Sequence, residues 1–259
     1  MVKQLFEPNG TLPLRATTIL VVAQCLAFLA LWLSGAIHYV PSLSSILGAL
    51  PELLLQKGLL YHLWVSTRTV CEAMCITILL SLTVSYAAIL PFFRPLAYVS
   101  SKLRFISIAG LTFFFVLIFG GDNIKLSLLT YGMSVFFVTN MLDVINDTKK
   151  SELDHARLLG MSEWRATYEV IVLGKLPYVL DIIRGNFAIA WAMLTLVEGV
   201  SRSEGGVGFL LNNNDKHFEL PEMFATLICI FAVGVTLDYF FGWLKRVVCP
   251  YASITLERS

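Results

Sequence analysis

The chain has 259 residues, of which 57% are hydrophobic and 14% charged, with a mean hydropathy of +0.75. Soluble domains average about a quarter charged residues, so this composition excludes a water-soluble globule, and its apolarity excludes a disordered chain. The formal net charge of +1 gives no field that would steer nucleic acid or an acidic substrate. What remains is a protein that lives in a bilayer.

A helix that crosses a bilayer needs about 20 mostly apolar residues, because lipid offers no partner to an exposed backbone. The charge-free run from Ala16 to Ile37 is the first expected span, and Ala73 to Phe93 the second, with its helix starting near His62. Phe105 to Gly121 and Leu126 to Leu142 follow, separated by Asp122, Asn123, Ile124 and Lys125. Tyr178 to Val197 carries Asp181 and Arg184 in its first turns, and Phe224 to Leu244 is interrupted only by Asp238. The expectation is therefore an all-α integral membrane protein of about six transmembrane helices.

Basic residues beside the spans set the orientation. With the N-terminus in the cytoplasm, 13 of the 19 Lys and Arg residues fall inside, among them Lys3, Arg94, Lys149 and Arg258. Four (Lys57, Lys125, Arg202 and Lys216) fall outside, and Arg68 and Arg184 lie within or at the edge of spans. Both termini are expected in the cytoplasm. The start of the chain also resembles a secretory signal, with Ser34-Gly35-Ala36 as its cleavage site. The apolar run is long enough to span, however, and five more spans follow. Cys25, Cys71, Cys75, Cys229 and Cys249 lie in or beside spans and read as small buried hydrophobes. Cys71 and Cys75 sit one turn apart, without the second pair or histidine a metal site needs.

The segment from His38 to Tyr61 has Ile46, Leu47, Leu50, Leu53 and Leu54 at helical spacing, punctuated by Pro51, and suits a helix at the outer membrane surface. The stretch from Gly199 to Glu222, with Gly205, Gly206 and Gly208, reads equally as a connector or as a functional lid. Between the fourth and fifth spans lies one long polar loop, about Asp143 to Lys175. Ser151 and Asp154 have capping-box spacing. That helix would end at Gly160, which tolerates the left-handed conformation, and Ser162 would cap a second helix through Glu163, Trp164 and Tyr168. A DNA-binding helix-turn-helix is disfavoured, since the loop holds six acidic and five basic residues and is tethered to lipid at both ends. A helix docking on a soluble partner fits better.

These residues carry a resemblance. In permease subunits of binding-protein-dependent ABC importers, the cytoplasmic loop reads Glu-Ala-Ala, three residues, Gly, nine residues, Ile, one residue, Leu-Pro. Here Asp154-His155-Ala156 is followed by Gly160 at the same distance, and nine residues later by Val170, Ile171, Val172 and Leu173. Pro177 fits a second Leu-Pro of the nitrate, sulfonate and taurine branch. The chain resembles that branch also in Arg68, Phe119-Gly120, Lys125, Arg184, Trp191, Glu198 and Gly206-Val207-Gly208. It departs from it in having no proline between Arg104 and Gly120 and in placing Glu72 where a small residue is common.

The resemblance implies a type I importer bundle. Residues 1–15 would be a cytoplasmic N-terminus, residues 16–248 one transmembrane permease domain with its coupling loop at 143–175, and residues 249–259 a cytoplasmic tail. It implies a bacterial inner membrane, a second permease copy as a homodimer, an ATP-binding subunit at the cytoplasmic loop and a substrate-binding protein outside. Asp154, His155, Ala156, Gly160 and Val170 would couple to the ATPase. The chain has no P-loop of its own: Gly174-Lys175 is followed by Leu176, and Glu169 stands where the first glycine belongs. It is expected to be no enzyme, to need no cofactor or metal, and to bind no nucleic acid. The histidines, His38, His62, His155 and His217, have no ligand spacing.

Ionisable groups within spans mark function by default, which makes Arg68, Glu72, Arg184, Glu198 and Asp238 candidates, with Arg68, Arg184, Glu198 and Trp191 assigned to the path of a small solute such as nitrate, a sulfonate or taurine. A guanidinium offers an oxyanion paired hydrogen bonds. The competing reading is that Arg68 or Arg184 pairs with Glu72, Asp181 or Glu198 to brace the bundle. A secondary transporter or channel without an ATPase is the alternative function, and would call for ion-coupling residues or internal repeats.

Overall fold

The computed structural model describes residues 13–33, 40–120, 123–200 and 205–251. Lys3, Arg202, Arg258, Asp122, His38 and the Ser34-Gly35-Ala36 segment lie outside the described residues. Among those described there are helices and no strands: α1 (Leu14–Leu33), α2 (Leu43–Leu55), α3 (Leu59–Ala87), α4 (Arg94–Lys102), α5 (Ile108–Phe119), α6 (Ile124–Asn146), α7 (Lys150–Leu158), α8 (Glu163–Thr167), α9 (Leu176–Val200), α10 (Val207–Lys216) and α11 (Leu220–Val248). Five helices, α1, α3, α6, α9 and α11, are long and apolar enough to cross a membrane. The protein is a multi-pass membrane protein.

The third expected span differs. α5 has 12 residues, about 18 Å of rise, too little to cross lipid alone. The chain between Arg94 and Phe119 instead bends by 120°, so a sixth crossing exists only if this broken pair counts as one. At the bend Ile106 and Ser107 are extended; the charge-free composition of Phe105–Gly121 gave no sign of that break.

α3 and α6 pack along a stripe of small residues. Ala73, Thr77, Ser81 and Ser85 recur every turn on α3 and are buried. The Thr77 and Ser81 hydroxyls donate to the carbonyls of Thr130 and Ser134 on α6 at 3.5 Å. Small side chains let helix backbones approach where lipid supplies no hydrophobic drive. The central core adds Val70 and Met74 from α3, Leu128 and Met133 from α6, and Phe187, Ala190 and Leu194 from α9. α11 closes this core, with the Trp191 indole N–H donating to the Ile230 carbonyl at 3.0 Å. Gly234 makes room for that ring: an added Cβ would stand 2.9 Å from it.

α2 is the amphipathic helix expected before α3. Ser42 caps it through the Ser45 N–H, and Ile46 and Leu53 pack with Leu59, Leu210 and Ala225. Pro51 lies inside this helix without breaking it. α1 stands apart, tied by the Trp32 indole donating to the Pro41 carbonyl at 3.1 Å. The cysteines depart from expectation: Cys25, Cys71 and Cys75 are exposed on outward faces, and only Cys249 is buried. A span's outer face is apolar to suit lipid, so hydrophobicity does not mark the side that faces protein.

Candidate functional site

Three groups of polar residues stand out. The first lies at the end of the bundle where α6 finishes and α9 begins. α7 starts at Lys150 with Lys149 as its N-cap, so Ser151 is not the cap the spacing suggested. Glu152 explains the earlier start, because it sits in the first turn, where a carboxylate suits the helix dipole, and accepts from Lys175 at 3.0 Å. The other end is as expected. Gly160 has φ +80°, its N–H donates to the Arg157 carbonyl at 2.9 Å, and the Met161 N–H reaches back to the Ala156 carbonyl at 3.2 Å. This is a Schellman stop. Ser162 then caps α8 by accepting from the Arg165 N–H.

Arg157 fastens the two helices together. Its guanidinium donates to Asp154 at 2.6 Å and to both Glu163 oxygens at 2.8 and 2.9 Å. The hydrogen bonds from Arg157 hold the Glu163 carboxyl below its ordinary value. Of the predicted coupling residues, Asp154, His155 and Gly160 are exposed, Ala156 is buried and Val170 is half-buried. Val170 lies in a wide, π-type turn (Tyr168–Leu173). Gly174 follows it, and a Cβ there would meet the Val170 carbonyl at 2.5 Å. Leu158, Leu159 and Trp164 project into the open at 86%, 65% and 72% exposure, forming an apolar knob beside the charged residues.

The second group is the ionisable residues of the spans. Arg68 and Glu72, one turn apart on α3, pair at 2.7 Å with exposed side chains, flanked by exposed Tyr61 and Trp64. Arg184 is paired across helices: its guanidinium takes both oxygens of Asp238, at 2.6 and 2.5 Å. Asp181 accepts from Lys245 at 2.7 Å instead. These two pairs lace α9 to α11. Trp191 and Glu198 are buried, so the structure does not bring Arg68, Arg184, Trp191 and Glu198 to one surface.

The third group, at the opposite end of the bundle, surrounds Glu198, a candidate from the sequence whose partners Ser66 and His62 were not legible there. Glu198 is fully buried. The Ser66 hydroxyl of α3 donates to its two oxygens at 2.7 and 2.9 Å, and the Gly208 N–H donates to Oε2 at 2.9 Å. Ser66 in turn accepts from the Val207 N–H at 2.9 Å, and the Gly206 N–H donates to His62 Nδ1 at 3.0 Å. Lys125, 1% exposed, donates to the Gly205 carbonyl at 2.7 Å. The carboxylate thus sits on the N-terminus of α10, where free amides and the helix dipole favour negative charge. Glycine is required here: a Cβ on Gly206 would stand 2.2 Å from the Glu198 carboxylate, and one on Gly208 2.3 Å from the Thr195 carbonyl. From Gly205 onward, the stretch left open as connector or lid is a turn and a helix, tied to α3, α6 and α9. The Gly-Gly-x-Gly pattern beside a span-end glutamate was the available signal.

Nearby, Lys57 bridges α2 to Glu219 and Glu222 at the start of α11. Burial pushes the Lys57 ammonium down, but the two carboxylates outweigh it and hold it above its ordinary value.

No family model matches the chain. Its sequence is 30% identical over 91 residues to the bicarbonate transport system permease protein CmpB of Synechococcus elongatus, covering 35% of this chain and 33% of that protein. It is 28% identical over 145 residues to SsuC of Bacillus subtilis, a protein named as an aliphatic sulfonates transport permease, covering 56% of this chain and 52% of that one. The chain thus spans about a third to a half of the length of these curated relatives. Among solved structures, an amino acid ABC transporter with histidines superposes with a TM-score of 0.62 at 15% identity, over 77% of this chain and 96% of that one. The fold is that of an ABC transporter permease, and the sequence is similar to permeases of that kind.

Two outcomes follow. Ser66→Ala leaves the Val207 N–H and part of the Glu198 carboxylate unpaired in a buried setting, which should cost about 1–3 kcal/mol and lower the melting temperature of the purified protein; an unchanged melting point would contradict the joint. Because Glu163 is held below its ordinary value of 4.5, the Arg157 clasp contributes fully above that pH and is lost as pH falls through the depressed value. A distance probe across α7 and α8 should therefore broaden only on the acid side.

Proposed function

We propose that the chain is the membrane-spanning permease subunit of an ATP-driven importer. The observation that carries the reading is the α7–Gly160–α8 element. It is rigidified by a Schellman stop and the Arg157 clasp, anchored to the start of α9 through Glu152 and Lys175, and presents an apolar knob beyond the end of the bundle. Such an element transmits force as a lever when its exposed face is seated in a partner. The partner is a separate ATP-hydrolysing subunit, and Asp154, His155 and Gly160 lie on the docking side. The similarity to named ABC permeases supports the same assembly.

The orientation follows the basic residues: the α7 end lies in the cytoplasm, and α2 and α10 lie outside, where a substrate-binding protein would deliver solute. The membrane is the bacterial inner membrane. Arg68 and Glu72 support a second copy of the chain. Arg68 is the tenth residue of the 29-residue helix α3, about 14 Å along a helix of about 43 Å. Exposed charges at that depth face water or protein, since lipid disfavours them. We assign this face to a passage between two copies, with Arg68 meeting a small anion of the bicarbonate or sulfonate kind. Arg184, Trp191 and Glu198 hold the spans that frame the passage.

A photo-reactive residue at Leu158 tests the docking. When the chain is co-produced with ATP-binding subunits of importers encoded in its own genome, illumination should yield an adduct with one of them. ATP-dependent uptake without any such adduct would overturn the lever.

A further inference from the structure

His62 is the fourth residue of α3. Its Nδ1 accepts the Gly206 N–H at 3.0 Å. A histidine ring nitrogen accepts only when it carries no proton, so this bond exists in the neutral tautomer with hydrogen on Nε2. Gly206, at φ +112°, is the residue on which the turn pivots into α10, and the two amides that follow it are spent on Ser66 and Glu198. The His62 bond is thus the outermost of three consecutive N–H contacts that seat the N-terminus of α10.

We propose that His62 is a positioning residue that seats the Gly205–Gly208 turn only while it is neutral, making the outer joint of the bundle acid-sensitive. Protonation at Nδ1 converts the acceptor to a donor facing another donor. It also sets a second positive charge near Lys125, which acts electrostatically on the ring. Among the described residues no carboxylate pairs with His62 to offset this. On its own helix the ring meets Tyr61 edge-on, and on α10 it meets Phe209 at 5.9 Å. From α6 the facing charge is Lys125; from α9 it is Glu198, already engaged by Ser66 and Gly208. Lys57, Glu219 and Glu222 hold one another at the corner of α2 and α11, and Arg68 and Glu72 pair on the exposed face of α3. Histidine is the side chain whose ordinary titration falls in the range an outer surface meets.

Amide hydrogen exchange on the full chain in lipid nanodiscs tests this without reference to transport. Between about pH 7.5 and about pH 5.5, either side of the ordinary histidine value, the segment from Gly206 to Phe209 should lose roughly tenfold of its protection after correction for intrinsic exchange. His62→Asn, whose amide oxygen takes the place of Nδ1 but does not titrate, should keep protection at both pH values. Equal protection of the wild type at the two values would overturn the proposal, as would an equal acid loss in the variant, because another group would then be responsible. Should that variant fail to fold, His62→Ala decides instead: with the acceptor gone, protection should be low at both pH values, and a full acid loss that persists in it would overturn the proposal.

Discussion

The interior of a bilayer solvates neither backbone nor charge, and nearly every feature of this protein answers to that constraint. It makes the elements helical and long, and it lets small residues set the spacing of α3 and α6. It also requires a partner for each ionisable group within the spans. Arg184 and Asp238, and Asp181 and Lys245, meet the requirement by pairing across α9 and α11. Arg68 and Glu72 pair with each other yet remain exposed. That difference separates groups that brace the bundle from a face that needs water or another subunit beside it.

The two ends of the bundle use the same chemistry for opposite purposes. At one end Glu198 buries its carboxyl group on the first amides of α10, and Ser66, His62 and Lys125 complete a joint among α3, α6, α9 and α10. A polar cluster so enclosed restricts geometry because each member depends on the others being in place. At the other end Arg157, Asp154 and Glu163 form a clasp in the open, where its energetic worth is small but its geometric effect, fixing α7 against α8, is retained. A rigid joint and a rigid lever joined by continuous helices suit a body that moves as a whole.

Much of this was legible in the chain, and for identifiable reasons. Span length and apolarity are imposed by lipid thickness, so α1, α3, α6, α9 and α11 stand where long apolar runs stand, their ends shifted by a few residues. Gly160 and Ser162 announce a stop and a start because left-handed backbone and side-chain capping are local. The bend at Ile106–Ser107 was invisible to composition. The cap at Lys149 rather than Ser151 depends on Glu152 reaching Lys175, 23 residues away. The Glu198 joint escaped for the same reason on a larger scale: Ser66 lies 132 residues from its partner in the chain. Lys125, which the sequence places in a short charged link between two spans, turns into the bundle to a carbonyl 80 residues on. Non-local pairing of polar groups leaves no periodic trace.

The proposed lever works only if this bundle is driven from outside itself. Solute uptake into liposomes holding the chain, alone and then with the proposed ATP-binding subunit, binding protein and ATP, measures that directly. Accumulation against a gradient should occur only in the complete assembly and stop when ATP is withheld. Uphill accumulation by the chain alone, driven by an ion gradient, would contradict it.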